Sequence, residues 1–128
     1  MPHLVLNDAA VEAPERTNLL TWLRDRGLVA AKPGCRGGDC GACQVLVGER
    51  TAAAAEPVYR ALNSCLLTTD LVAGCHVVTV EGLDACAPTP VQRALVDDGA
   101  IQCGYCTPGL VVALTAGLLT GTPPRDAA

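Results

Sequence analysis

Eight cysteines carry most of the chemistry available to this 128-residue chain. Three fall in one run, Gly34-Cys35-Arg36-Gly37-Gly38-Asp39-Cys40-Gly41-Ala42-Cys43, and Cys65 follows from a separate segment. Cys103 and Cys106 form a second, shorter group in Gln102-Cys103-Gly104-Tyr105-Cys106-Thr107-Pro108-Gly109, while Cys75 and Cys86 each stand alone. An even number of cysteines in a short chain is compatible with four disulfides, but that reading needs an oxidising compartment. The first residues, Met1-Pro2-His3-Leu4-Val5-Leu6-Asn7-Asp8, show no charged n-region, apolar h-region or twin arginine. The expectation is therefore a cytoplasmic, reduced protein in which thiolates serve as metal ligands.

The spacing of Cys35, Cys40, Cys43 and Cys65 is C-x4-C-x2-C…C, which is that of plant-type [2Fe–2S] sites. Four thiolates around a compact inorganic core require a tight backbone wrap. Gly34, Gly37, Gly38 and Gly41 permit one because they lack Cβ and accept positive φ. Amide N–H groups in such a wrap can donate to sulfur and help set the reduction potential. A four-cysteine zinc site is the main alternative, but it is usually built from two C-x2-C knuckles and only one lies within this group. Neither G-x-x-x-x-G-K-S/T nor G-x-G-x-x-G occurs, so a phosphate loop is disfavoured. Arg36 and Asp39 read as solvated loop charges. The Cys103–Cys106 pair sits at a helix N-terminus, where partial positive charge favours thiolates, but two cysteines are half a site. Cys75 and Cys86 read as small buried or surface thiols.

The elements that must position these groups follow from pattern. Leu4-Val5-Leu6 reads as a strand, Asn7-Asp8 as a turn and Val11 as the start of a returning strand. Thr17 is the expected N-cap of a helix carrying Leu19, Leu20, Trp22 and Leu23 and stopped by Gly27, with Arg24 and Arg26 in its last turn. After the cysteine loop, Gln44–Val47 reads as a strand, Gly48 as a turn, and Thr51–Glu56 as an alanine-rich insert without an assigned structure. Strands are expected at Val58–Leu62 and Val77–Val80. From Ala87 the character becomes helical. Thr89-Pro90 opens a helix to about Asp98, closed by Gly99, and Thr107-Pro108 repeats the device before a helix apolar nearly all round, expected to be buried between other helices. The fold class is thus α+β: a β-grasp, ferredoxin-like domain over 1–84, then an all-α, incomplete four-helix domain over 85–128.

Half of the chain is hydrophobic, enough for a real core. The net charge of −4, the absence of a basic stripe and the scarcity of aromatics exclude nucleic acid and anionic membranes as natural partners. The apolar run Leu110–Leu119 is too short to span a bilayer.

The stretches Gly34–Cys43, Tyr59–Leu66, Val78–Leu83, Pro90-Val91-Gln92 and Gln102–Gly109 together resemble the iron–sulfur subunit or N-terminal domain of the molybdenum hydroxylases, the xanthine dehydrogenase family. The resemblance implies two [2Fe–2S] clusters. Cys35, Cys40, Cys43 and Cys65 would hold the first, with Gly37, Gly38 and Gly41 shaping its loop; Cys103, Cys106 and a later C-x-C pair would hold the second. It implies that Gln102 lies against a pterin. It also implies a relay of electrons from a molybdopterin centre to FAD, both on partner subunits or domains of a heteromeric, xanthine dehydrogenase-like oxidoreductase, with no bond chemistry on this chain. The phrase around Cys65 is most similar to xanthine dehydrogenases. No cysteine follows Cys106, so the chain reads as truncated before the C-x-C pair, or completed by another polypeptide, or built for one cluster. The alternatives are a stand-alone ferredoxin-like carrier, the small subunit of a carbon monoxide, aldehyde or N-heterocycle dehydrogenase, and a structural zinc module.

Overall fold

The computed structural model describes residues 1–120. Five strands form one mixed sheet: β1 (His3–Leu6), β2 (Ala9–Glu12), β3 (Gln44–Glu49), β4 (Val58–Asn63) and β5 (His76–Val78). Their order is β2-β1-β5-β3-β4, antiparallel except for the parallel β1–β5 pair. The residues at 51–56 form turns and bends between β3 and β4.

Each face of the sheet takes a helix. The first face receives α1 (Leu19–Asp25), whose Leu19, Leu20 and Leu23 are fully buried against Leu4, Leu6, Val45, Val47, Val72 and Val77. Alternation along β3 sends Val45 and Val47 to this face and Leu46 to the other, the period-2 pattern of a strand buried on both sides. Two helices lie between the sheet's last strand and the second covering helix: the four-residue α2 (Val80–Leu83) and α3 (Pro90–Asp97), the latter opened by a complete capping box between Thr89 and Gln92. The second face receives α4 (Thr107–Thr120), with Val112 and Ala116 buried against Leu46 and Val78.

Five local expectations are corrected. Asn18, not Thr17, caps α1: its side chain accepts the Thr21 N–H at 3.2 Å, while the Thr17 hydroxyl turns back to Glu15. Gly48 is not a turn but an interior residue of β3, where the Tyr59 ring of β4 covers the space a Cβ would fill. The last strand ends at Val78, and Thr79 starts α2 because the Asn7 side chain accepts its N–H at 2.9 Å. The first intrahelical bond of α4 runs from Leu110 N–H to the Cys106 carbonyl, so Cys106 rather than Thr107 occupies the cap. Finally, α4 is packed on the sheet and not between helices, and Leu118 and Leu119 remain exposed. The expected segment Pro123–Ala128 lies outside the described residues.

Candidate metal centre

The loop between α1 and β3 wraps its own sulfurs. Arg36, Gly38 and Gly41 all adopt left-handed φ, at 54°, 85° and 71°, and these reversals turn successive N–H groups inward. The N–H groups of Gly37, Asp39 and Cys40 reach Cys35 Sγ at 3.3, 3.2 and 3.3 Å. Those of Cys35 and Ala42 reach Cys40 Sγ at 3.4 and 3.5 Å. A Cβ at Gly34 would stand 2.6 Å from Cys40 Sγ, so the close backbone approach requires glycine there. Three donors on one sulfur stabilise its thiolate, and the Cys35 thiol is lowered to about 7, chiefly by Gly37, then Cys40 and Asp39.

Cys43 is buried at the foot of the loop, and Cys65 is half-buried in the 3₁₀ turn that follows β4. The two are stapled by Ser64, fully buried, whose hydroxyl donates to the Cys43 carbonyl at 2.6 Å. Asn63 donates to the Gly38 carbonyl at 3.0 Å, and Asn18 donates to the Cys65 carbonyl at 2.9 Å. Burial pushes the Cys65 thiol up, and its neighbour Cys43 adds to the rise. Sequence reasoning assigned no role to Asn18, Asn63 and Ser64. The signal was the run Asn63-Ser64-Cys65, whose polar residues directly precede a cysteine.

The donor set suits an anionic cluster of two irons. Such a cluster takes two thiolates on each iron, whereas a structural zinc ion needs four ligands converging on one point.

The second cysteine group lies against the first. Cys103, Cys106 and Gln102 are exposed in the bend before α4, and Gly104 turns that bend at φ 82°. Tyr105 donates its hydroxyl to the Pro33 carbonyl at 2.7 Å. The α4 backbone at Gly109 is buried against Gly41 and Ala42: a Cβ there would lie 2.9 Å from the Gly41 carbonyl carbon and closer to its oxygen. A cavity of about 260 Å³ joins the loops, lined by Cys40, Gly41, Gln44, Cys106, Gly109 and neighbours. The remaining thiols lie elsewhere. Cys75 is buried in the α1-side core, where desolvation and then Glu49 push its thiol up, and Cys86 is exposed between α2 and α3.

Fold and cysteine loop together define a [2Fe–2S] iron–sulfur domain of ferredoxin type. Two family models match: the 2Fe-2S iron-sulfur cluster binding domain over residues 5–70 and the [2Fe-2S] binding domain over 79–128. Xanthine dehydrogenase 1 of Arabidopsis thaliana is 41% identical over 98 residues, 75% of this chain and 7% of that protein. Aldehyde oxidase 2 of Cavia porcellus is 38% identical over 116 residues, 88% of this chain and 9% of that protein. The aldehyde oxidoreductase from Desulfovibrio gigas superposes with TM-score 0.81 at 28% identity, over 97% of this chain and 13% of that one. Quinoline 2-oxidoreductase from Pseudomonas putida 86 gives 0.70 at 28% identity, over 91% of this chain and 68% of that one. The chain belongs to the iron–sulfur domains of the molybdenum hydroxylases, the xanthine dehydrogenase family. It spans less than a tenth of the length of the xanthine dehydrogenase and of the aldehyde oxidase, and none of its described helices is long and apolar enough to cross a membrane.

Proposed function

We propose that this chain is the electron-transfer component of a cytoplasmic, xanthine dehydrogenase-like oxidoreductase, relaying electrons from a molybdopterin centre to FAD on partner subunits or domains. Cys35, Cys40, Cys43 and Cys65 hold one [2Fe–2S] cluster in a ferredoxin-like domain, residues 1–84. Cys103 and Cys106 supply half the ligands of a second in a helical domain, residues 85–128, with Gln102 directed to the pterin side. A bound [2Fe–2S] cluster takes up and returns single electrons at a potential set by net charge, hydrogen bonds to sulfur and exposure.

The observation that carries the reading is the set of five backbone N–H groups donating to Cys35 and Cys40 within the C-x4-C-x2-C loop. The chain's own residues supply thiolate stabilisation there, and the staple through Ser64 holds Cys43 and Cys65 together. Partners are supported by the apolar groove of about 400 Å³ between α3 and α4, lined by Val91, Ala94, Leu95, Ala113 and Leu114.

Iron and acid-labile sulfide per chain, with EPR of the dithionite-reduced protein, test the proposal. Cys43→Ser is expected to abolish the ferredoxin-like signal, whereas Cys75→Ser leaves it intact. Absence of iron refutes the function, and an unchanged Cys43→Ser spectrum refutes the ligand set.

A further inference from the structure

Lys32 is the only lysine in the chain, and it stands where the two cysteine loops meet. Its backbone is fixed at the base of the first loop, where its N–H donates to the Ala42 carbonyl at 2.9 Å. Its side chain leaves that loop and places Nζ 5.4 Å from the ring centroid of Tyr105, the residue just before Cys106. Tyr105 in turn donates to the carbonyl of Pro33, the next residue after Lys32. The clasp is therefore closed at both ends: phenol to backbone on one side, ammonium to ring face on the other. Among the described residues Lys32 makes no ion pair with a carboxylate, so its charge is not neutralised by an acidic neighbour. The ammonium is thereby held where the two cysteine-bearing loops meet, beside the loops on which thiolates would place negative charge.

We propose that Lys32, oriented by the Tyr105 ring, is a positioning charge that makes the iron–sulfur centre of the first loop easier to reduce. This rests on the ligand set proposed above. One-electron reduction adds one negative charge to that centre, and a nearby fixed positive charge stabilises the reduced form more than the oxidised one. Tyr105 matters through Lys32: with no ring beneath it, a long ammonium side chain extends into water, where hydration and salt screen its charge.

The test is an EPR-monitored potentiometric titration of the iron-loaded full chain. Lys32→Gln is expected to move the midpoint to more negative potential, while Lys32→Arg, which keeps charge and ring stacking, holds it near native. Tyr105→Ala is expected to move it in the same direction as Lys32→Gln and to add nothing in the double variant. A merely structural clasp would alter stability without this charge-dependent pattern. A native midpoint in Lys32→Gln, with the EPR signal intact, overturns the proposal. If the native chain shows no signal, it is the ligand assignment that has failed, and the clasp is then read without iron. Acylation of the Lys32 amine by an N-hydroxysuccinimide ester, resolved from the N-terminus by mass spectrometry, is expected to run about two- to fivefold faster in Tyr105→Ala, the factor corresponding to a cation–π contact at an exposed site. Equal rates overturn the clasp itself.

Discussion

Gly109→Ala puts the contact between the two cysteine loops to a test in which the sign of the result decides. Gly109 lies in the first turn of α4, where its backbone meets Gly41 and Ala42 of the first loop. An added Cβ would stand 2.9 Å from the Gly41 carbonyl carbon, 3.2 Å from Ala42 Cα, and nearer still to the carbonyl oxygen. Favourable separations between carbons are about 3.5–4.0 Å, and the atoms met are backbone, which cannot rotate away. Helix and loop must part by about 1 Å, a gap that forfeits roughly a quarter to a half of each dispersion contact across it. The buried residues Val111, Val112 and Ala116 share that loss, because the same helix carries them onto the sheet.

Helix propensity pushes the other way, since alanine is favoured over glycine in a helix interior by about 1 kcal/mol. Overpacking costs about 1–3 kcal/mol. The difference is a net destabilisation of up to about 2 kcal/mol, the steric term at least matching the propensity gain. Urea unfolding followed by far-UV circular dichroism measures it, and the midpoint should fall with an unchanged slope. A variant more stable than the native chain, with propensity unopposed, would refute the tight seating of α4 on the first loop.

Two further outcomes follow from the same geometry. In the iron-free chain the rate of iodoacetamide labelling at Cys35, resolved by mass spectrometry, should titrate with a midpoint near 7, below the ordinary 9.0, because three N–H groups favour its thiolate. A lowered folded-state value means that this stabilisation is present above the unfolded value and is lost as pH falls through about 7, so a midpoint near the ordinary value, or one unmoved by urea, contradicts the loop geometry. Gly48→Ala would place a Cβ 2.5–2.9 Å from the Tyr59 ring, forcing the ring away from His76, with whose Nδ1 its hydroxyl hydrogen-bonds at 2.7 Å. The expected cost is about 1–3 kcal/mol, and it should shrink when Tyr59 is replaced by Ser; an equal cost in both backgrounds excludes the ring as its cause.

The fold was legible where one residue type has one physical use. Apolar alternation marked the strands, and Thr89-Pro90 marked the start of α3, while the answering Gln92 side chain emerged only in the structure. The first cysteine loop was legible for the same reason, since its spacing and glycines serve a wrap and little else. Legibility failed where the deciding partner is far away in sequence. Thr17 and Asn18 are both competent caps, and Asn18 also bonds the Cys65 carbonyl across the fold. Gly48 reads as a turn until Tyr59 is laid over it. Val80 has strand propensity, but the Asn7 side chain claims the Thr79 backbone and ends the strand. Tyr105 and Lys32 gave no local signal at all, because each is explained only by the other.

The two cysteine groups are unequal in what supports them. The α1-side core is closed entirely by residues that precede α2, from Leu4 to Val77, so the first loop rests on a scaffold made from its own half of the chain. The α4-side cluster is shared, with Leu46 and Val78 from the sheet and Val112 and Ala116 from the helix. The intervening α3 buries no residue fully. Burial of apolar area is the main favourable term in folding, so the segment carrying Cys103 and Cys106 draws its stability from surface that the first half presents. The Tyr105–Pro33 and Gly109–Gly41 contacts fall on that borrowed surface, beside the first cysteine loop. Position and stability of the second group are therefore set together, by the loop it must face.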